Sequence, residues 1–231
     1  ARNSIAVGLA CACAGIVVGC ITLTNLGGEF TAVVIALSQN SLVLALILTM
    51  IAGIILGMGL PTTPAYIVQT ALLVPALVKL GVMVEAAHMF VLYFAILSAI
   101  TPPVAMAVFA ANGISRGNLW DTGFTALKLG ATGYIIPFMF VFGPSILLIG
   151  AWTEVGLTLV TATAGVLCLS AGMIGYINSK LNIVERLFLI GAAICLIKPG
   201  LISDLAGLGV GVVIFALHLR GRKAAEPAAA E

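Results

Sequence analysis

Two proline-bearing interruptions inside long apolar stretches constrain this chain more than any other feature: Gly57-Met58-Gly59-Leu60-Pro61-Thr62-Thr63-Pro64 and, about forty residues later, Ser98-Ala99-Ile100-Thr101-Pro102-Pro103. Proline has no N–H and crowds the carbonyl four residues back, so a helix entering either segment opens there. Hydrocarbon offers no water to satisfy the freed groups. Such a break persists only where protein buries it or a polar ligand fills it. A pair of breaks at membrane depth marks the ion and substrate site of secondary transporters.

The surroundings are lipid-compatible. Hydrophobic residues make up 62% of the chain and charged ones 8%, with a mean hydropathy of +1.25, against about 25% charged in soluble domains. This composition reads as an all-α integral membrane protein and excludes a soluble enzyme or binding module. A net charge of +2 gives no reason to expect a nucleic-acid partner. Cys11, Cys13, Cys20, Cys168 and Cys195 lie in apolar runs without C-x-x-C spacing or nearby histidines, and read as buried small hydrophobes. The chain opens on Ala1-Arg2-Asn3 with no charged n-region before its first apolar run, so it is expected to belong to a longer polypeptide.

Apolar runs set the organisation. Residues 4–26 form a first span, residues 27–40 an interfacial connector, and residues 41–82 are nearly uncharged. As one helix the last of these would be about 63 Å long, roughly twice what a bilayer accommodates. It must fold back, and Gly57 to Pro64 is where it does so, giving a hairpin over 41–82. Within the segment 86–115, from Met89 to Ser115, each arm beside Thr101-Pro102-Pro103 is about 12 residues or 18 Å long, too short to cross alone. Further apolar segments lie at 123–150, 155–178, 187–198 and 205–219, before a polar tail over 220–231.

The positive-inside rule selects one broken span for 86–115 over a shallow hairpin. With the tail in the cytoplasm, Arg2, Arg116, Lys180, Arg186, Arg220, Arg222 and Lys223 all face inward, against Lys79 and Lys198 outside. The same count leaves open whether 41–82 is a re-entrant hairpin or two full crossings. Lys198-Pro199-Gly200-Leu201-Ile202-Ser203-Asp204 reads as a tight turn capped by Ser203 or Asp204.

At the hairpin tip Gly57 and Gly59 permit close backbone approach and positive φ, Pro61 and Pro64 leave carbonyls without donors, and Thr62 and Thr63 add hydroxyls. The second break offers the carbonyls of Ser98, Ala99 and Ile100 and the Thr101 hydroxyl. Hard cations such as sodium want oxygen ligands, and carbonyls at half-helix ends supply them with the favourable dipole. The candidate sodium ligands are therefore Gly57, Gly59, Thr62, Thr63, Ser98, Ile100 and Thr101. Half-helix N-termini near Pro64 and Pro103 could face an anionic substrate, with Pro61, Thr62, Pro64, Thr101, Pro102 and Pro103 lining it. No acidic residue lies deep in a span, which disfavours a carboxylate proton relay. His88 and His218 read as interfacial, Lys128 as a snorkelling side chain, and Trp120, Trp152, Tyr134 and Tyr176 as an aromatic belt.

The run from Ile54 through Tyr66, with His88 to Val104, resembles the large membrane subunit of the tripartite ATP-independent periplasmic (TRAP) transporters. It is most similar to the branch in which small and large membrane subunits are fused. The resemblance covers residues 1–150, while 151–219 look like the additional C-terminal helices of that branch. It implies an elevator-type transporter of two inverted repeats, each with a re-entrant hairpin and a discontinuous helix. Residues 57–64 would match the tip of the second hairpin and 98–103 the unwound part of the second discontinuous helix. It also implies sodium as coupling ion, an organic anion such as a dicarboxylate as substrate, and an extracytoplasmic solute-binding protein, of the TAXI type in the fused branch, as partner. The expected place is a bacterial or archaeal cytoplasmic membrane, with the C-terminus cytoplasmic. The first repeat and the small-subunit helices, which would complete the site, are not in the sequence.

Two other readings stay open: a divalent-anion/sodium symporter working without a binding protein, and a non-transporting assembly subunit. An intramembrane enzyme is disfavoured, because no nucleophile and base pair at membrane depth.

Overall fold

The computed structural model describes residues 2–39, 41–197 and 201–225, which are helical apart from short connections and one isolated bridge between Tyr176 and Lys180. Two compact units divide after Pro137. Met139 sits within the second unit with its Cε 3.6 Å from where a Gly165 Cβ would lie.

In the first unit, α1 (Arg2–Leu23) and α2 (Leu26–Ser38) bend by 72° across a short break. Asn25 makes the bend in the left-handed conformation at φ 54°, which its short polar side chain tolerates. Residues 27–40, expected as a connector, are thus helical as far as Ser38. An apolar face explains the difference: Phe30 and Leu80 close over Val34, Ala45 and Ala76, a pattern that the polar residues of the segment disguise.

Helix α3 (Leu42–Gly57) is apolar all round, as expected of a helix with no water-facing side. It is followed by α4 (Thr62–Lys79) and α5 (Val84–Leu97), and the three pack on one another. Pro75 lies inside α4 and denies Ala71 its helical donor. Gly27 of α2 packs closely against that Ala71 carbonyl, which a Cβ there would approach to 2.9 Å. After the second break come α6 (Met106–Ser115), α7 (Leu119–Gly130), a 3-10 turn (Ala131–Tyr134) and α8 (Ile136–Phe142). The Asn118 side chain caps α7, accepting from the Trp120 N–H at 2.9 Å.

The second unit holds α9 (Trp152–Ile174), α10 (Ile183–Ile197) and α11 (Leu201–Ala225). Helix α9 ends at Gly175, left-handed at φ 77°, and its last carbonyls are met by Arg186, which donates from Nε to Gly172 at 2.9 Å and from a terminal nitrogen to Met173 at 3.0 Å. A cation at a helix C-terminus is doubly favoured, by hydrogen bonds and by the dipole. Arg186→Leu is expected to destabilise this unit by about 1.5–3 kcal/mol, the range for charged hydrogen bonds. Faster hydrogen exchange at the end of α9 would register it.

Ser203 and Asp204 lie within helix rather than ahead of it, and Lys198, Pro199, Gly200 and residues 226–231 fall outside the described residues. The tail is helical as far as Ala225. Only Cys168 of the five cysteines is buried; Cys13, Cys20 and Cys195 are exposed. In an apolar solvent the outward face of a helix is as greasy as its core, so an apolar neighbourhood does not predict burial. Leu23 at 90% exposure makes the same point. Among the described residues, Leu119–Phe142 and Trp152–Ile174 are long and apolar enough to cross a membrane, and the bent pair Gly8–Leu23 with Leu26–Ser38 passes the same test as one broken span.

Candidate functional site

The hairpin is narrower at its tip than the prolines suggested. Only Met58 to Pro61 is non-helical, because Pro64 falls in the first turn of α4, where no intrahelical donor is lost. Thr62 and Thr63 are the first residues of that helix and are exposed, with no hydrogen-bond partner for either hydroxyl among the described residues. Gly59 turns the chain at φ 77°. The carbonyl of Gly57 accepts from Leu60 N–H at 3.2 Å and that of Pro61 from Ala65 N–H at 3.1 Å. Those of Met58, Gly59 and Leu60 have no backbone donor among the described residues.

The tip and the second break are adjacent. A Cβ on Gly57 would strike the Ser98 hydroxyl and lie 2.8 Å from both Ser98 Cβ and Gln69 Nε2, while one on Gly59 would lie 3.5 Å from Val104 Cγ1. Glycine is what lets α3 come this close. One turn earlier, Gly53 faces Gln69, Leu73 and Phe94, all within 3.4 Å of its Cβ position. Positions 53 and 57 therefore make a stripe, four residues apart on one face of α3, into which α4 and α5 settle.

At the break itself, fewer carbonyls are open than the sequence suggested. Ser98 is fully buried; its hydroxyl donates to Ala95 at 2.8 Å, and its carbonyl accepts from Thr101 N–H at 3.3 Å. The Ala99 carbonyl accepts from Ala107 N–H at 3.0 Å, a bond that spans the interruption from the first turn of α6. Ile100 alone of the three has a carbonyl without a donor among the described residues. The break thus heals part of its own backbone, which composition could not reveal. Thr101 is half-buried, Pro102 half-buried and Pro103 exposed. The two prolines line a small cavity of about 30 Å³ with Val108, Phe109 and Trp120, and Pro102 Cγ lies 3.4 Å from the Cβ position of Gly123.

Three polar residues missed as site candidates belong to this neighbourhood. Gln69 is completely buried in α4 and donates to the Gly53 carbonyl at 2.9 Å, joining the two hairpin arms; its Oε1 and the buried Thr49 hydroxyl have no partner among the described residues. A buried amide oxygen left unpaired is rare enough to signal a role. A glutamine in the middle of an apolar helix, opposite glycines spaced by four, is the signal that could have found it. Tyr134, read as part of an interfacial belt, is instead hydrogen-bonded to Thr101 at 2.6 Å and tilted against Phe94, with ring centroids 6.4 Å apart. His88, read as interfacial, is half-buried and bonded through Nδ1 to the Tyr66 hydroxyl at 2.8 Å, tying α5 to α4.

This arrangement offers uncharged oxygens, exposed at a helix start and along two interruptions, with no cluster of three or more His, Cys, Asp or Glu side chains able to hold a metal ion among the described residues. Its oxygens are neutral, and the soft or charged ligands of a transition-metal centre are not gathered there among the described residues. The family model for the DctM component of the tripartite ATP-independent periplasmic transporters matches residues 1–155. No curated protein and no solved structure matches the chain.

Proposed function

Because the chain belongs to the family of the DctM component of the tripartite ATP-independent periplasmic transporters, a transporter family and not an enzyme family, we propose that it takes up an organic anion in symport with sodium. It is a TRAP-type membrane transporter component, and such components work with an extracytoplasmic solute-binding protein. The observation that carries the finer reading is the meeting of the hairpin tip with the interrupted helix at Gly57 and Ser98. It supports a site where tip carbonyls, the Thr62 and Thr63 hydroxyls, the Ile100 carbonyl and the Thr101 hydroxyl surround a sodium ion, completed by a second repeat of like design. The start of α4 at Thr62 turns unpaired N–H groups and a positive dipole end toward an anionic substrate, for which a carboxylate fits.

Their shared packing supports a reading in which the hairpin and broken helix move together, as in an elevator. The C-terminus is assigned to the cytoplasm from the basic tail, and the delivering protein to the TAXI type. The three C-terminal helices are proposed as a scaffold.

Uptake tests the whole reading. The assembled transporter in proteoliposomes, with its binding protein and an organic acid found by thermal-shift screening of that protein, is expected to accumulate the acid only under an inward sodium gradient. Equal uptake in potassium would remove sodium from the mechanism, and equal uptake without the binding protein would favour a direct symporter. Thr62→Val and Thr63→Val are expected to leave stability within about 0.5 kcal/mol, as for exposed positions without partners, while shifting sodium activation to higher concentration. Unchanged activation in both would assign the ligation to backbone carbonyls alone.

A further inference from the structure

Within the 24-residue stretch Leu119–Phe142, the helix tightens to a 3-10 turn at Ala131–Tyr134, where it crosses the second break. A tightened turn in the middle of a span marks strain or function more often than chance. Here it brings three residues onto the interruption. A Cβ on Gly130 would lie 2.5 Å from Ile100 Cδ1, and one on Gly133 would lie 3.0 Å from Leu97 Cδ2. Tyr134, the last of the three, places its hydroxyl 2.6 Å from Thr101 Oγ1.

The proton positions in this small network are fixed by its chemistry. Thr101 has a single hydroxyl hydrogen, and its Oγ1 is also 2.7 Å from the Leu97 carbonyl, which can only accept. That hydrogen therefore goes to Leu97, and Tyr134 must be the donor in its bond to Thr101. Two consequences follow. The lone pair that Thr101 keeps is aimed away from Leu97 and Tyr134, and the threonine cannot rotate to donate outward without breaking its bond to Leu97. Beside it stands the Ile100 carbonyl, which no donor meets among the described residues.

The geometry points to Tyr134 as a positioning residue for cation binding: by donating to Thr101, whose own hydrogen goes to Leu97, it anchors that hydroxyl oxygen next to the open Ile100 carbonyl. This rests on the sodium-coupled reading above and adds a residue outside both proline motifs. Tyr134 acts through Thr101, not as a ligand itself. Without the tyrosine hydroxyl, Thr101 keeps its bond to Leu97 but loses the second anchor that fixes its oxygen next to the Ile100 carbonyl.

Radiosodium binding to the full transporter in nanodiscs, titrated against choline, tests this without knowledge of the substrate. Tyr134→Phe is expected to raise the half-saturating sodium concentration about tenfold, with the melting temperature in choline within a few degrees of the parent. Thr101→Ser keeps the hydroxyl and is expected to stay within threefold of the parent. In a Thr101→Val background Tyr134→Phe is expected to add less than twofold, because the group it positions is gone. A half-saturation within twofold of the parent for Tyr134→Phe, or a tenfold loss that persists in the Thr101→Val background, overturns the assignment. A parent protein that binds no sodium overturns it together with the sodium-coupled reading, whereas parent binding with an unaffected Tyr134→Phe overturns the positioning role alone.

Discussion

Gly57→Val is expected to cost the transporter at least tenfold in sodium affinity and most of its uptake, while the chain still inserts and folds. A Cβ at this position meets three atoms at once: the Ser98 hydroxyl, and Ser98 Cβ and Gln69 Nε2, each at 2.8 Å. Two of them belong to Ser98, which is fully buried and anchored to Ala95, so it has no free volume to enter. Relief comes only from moving the hairpin tip away from the break. Overpacking of this kind costs about 1–3 kcal/mol, and each 1.4 kcal/mol charged against binding is about a factor of ten. Alanine is expected to act in the same direction less strongly. Gly15→Ala is the control, because a Cβ there meets nothing within 4 Å; it should leave binding unchanged. Normal sodium binding by Gly57→Val would mean that the approach of the tip to Ser98 has no part in the site.

Thr101→Val is expected to have the second-largest effect, and on two readouts. The methyl group that replaces the hydroxyl fills the same space but can neither donate to Leu97 nor accept from Tyr134. Leu97 is not orphaned, since its carbonyl still receives Ile100 N–H at 3.1 Å. Tyr134 is, and a half-buried hydroxyl without a partner costs about 1–3 kcal/mol. Stability should fall by that amount at most, and the lost oxygen should weaken sodium activation more than tenfold. Restoring the hydroxyl with serine should recover most of both. Loss of stability with sodium activation intact would make Thr101 a structural cap and nothing more.

The parts of this site that were legible in the sequence are those where covalent chemistry forces the backbone. Pro61 cannot sit in a helix interior, and the pair Pro102 and Pro103 cannot continue one, so the two interruptions were visible before any packing was known. Pro64 and Pro75 show the limit of that inference, because α4 runs on through both, Pro64 in its first turn and Pro75 in its interior with Gly27 packed close to the freed carbonyl. The contribution of Tyr134 was hidden for another reason. An aromatic residue near the end of an apolar run has the composition of a membrane-interface anchor, and only its neighbours reveal a hydrogen-bonding role. Gln69 carried a cue as a lone amide in an apolar helix, but nothing local says that Gly53 and Gly57 lie across from it.

By itself the sequence determined that this chain lives in a membrane, that its apolar runs are helical, and where two of them must break. These follow from transfer free energies and from the missing proline N–H, properties that each residue carries wherever the chain goes. Tertiary structure alone decided that the two breaks meet at Gly57 and Ser98, that Ser98 and Ala99 spend their carbonyls on local bonds, and that Tyr134 reaches Thr101. Those outcomes depend on which helix faces touch, and in hydrocarbon that choice rests on close packing and the pairing of a few polar groups. Both are summed over residues far apart in the chain.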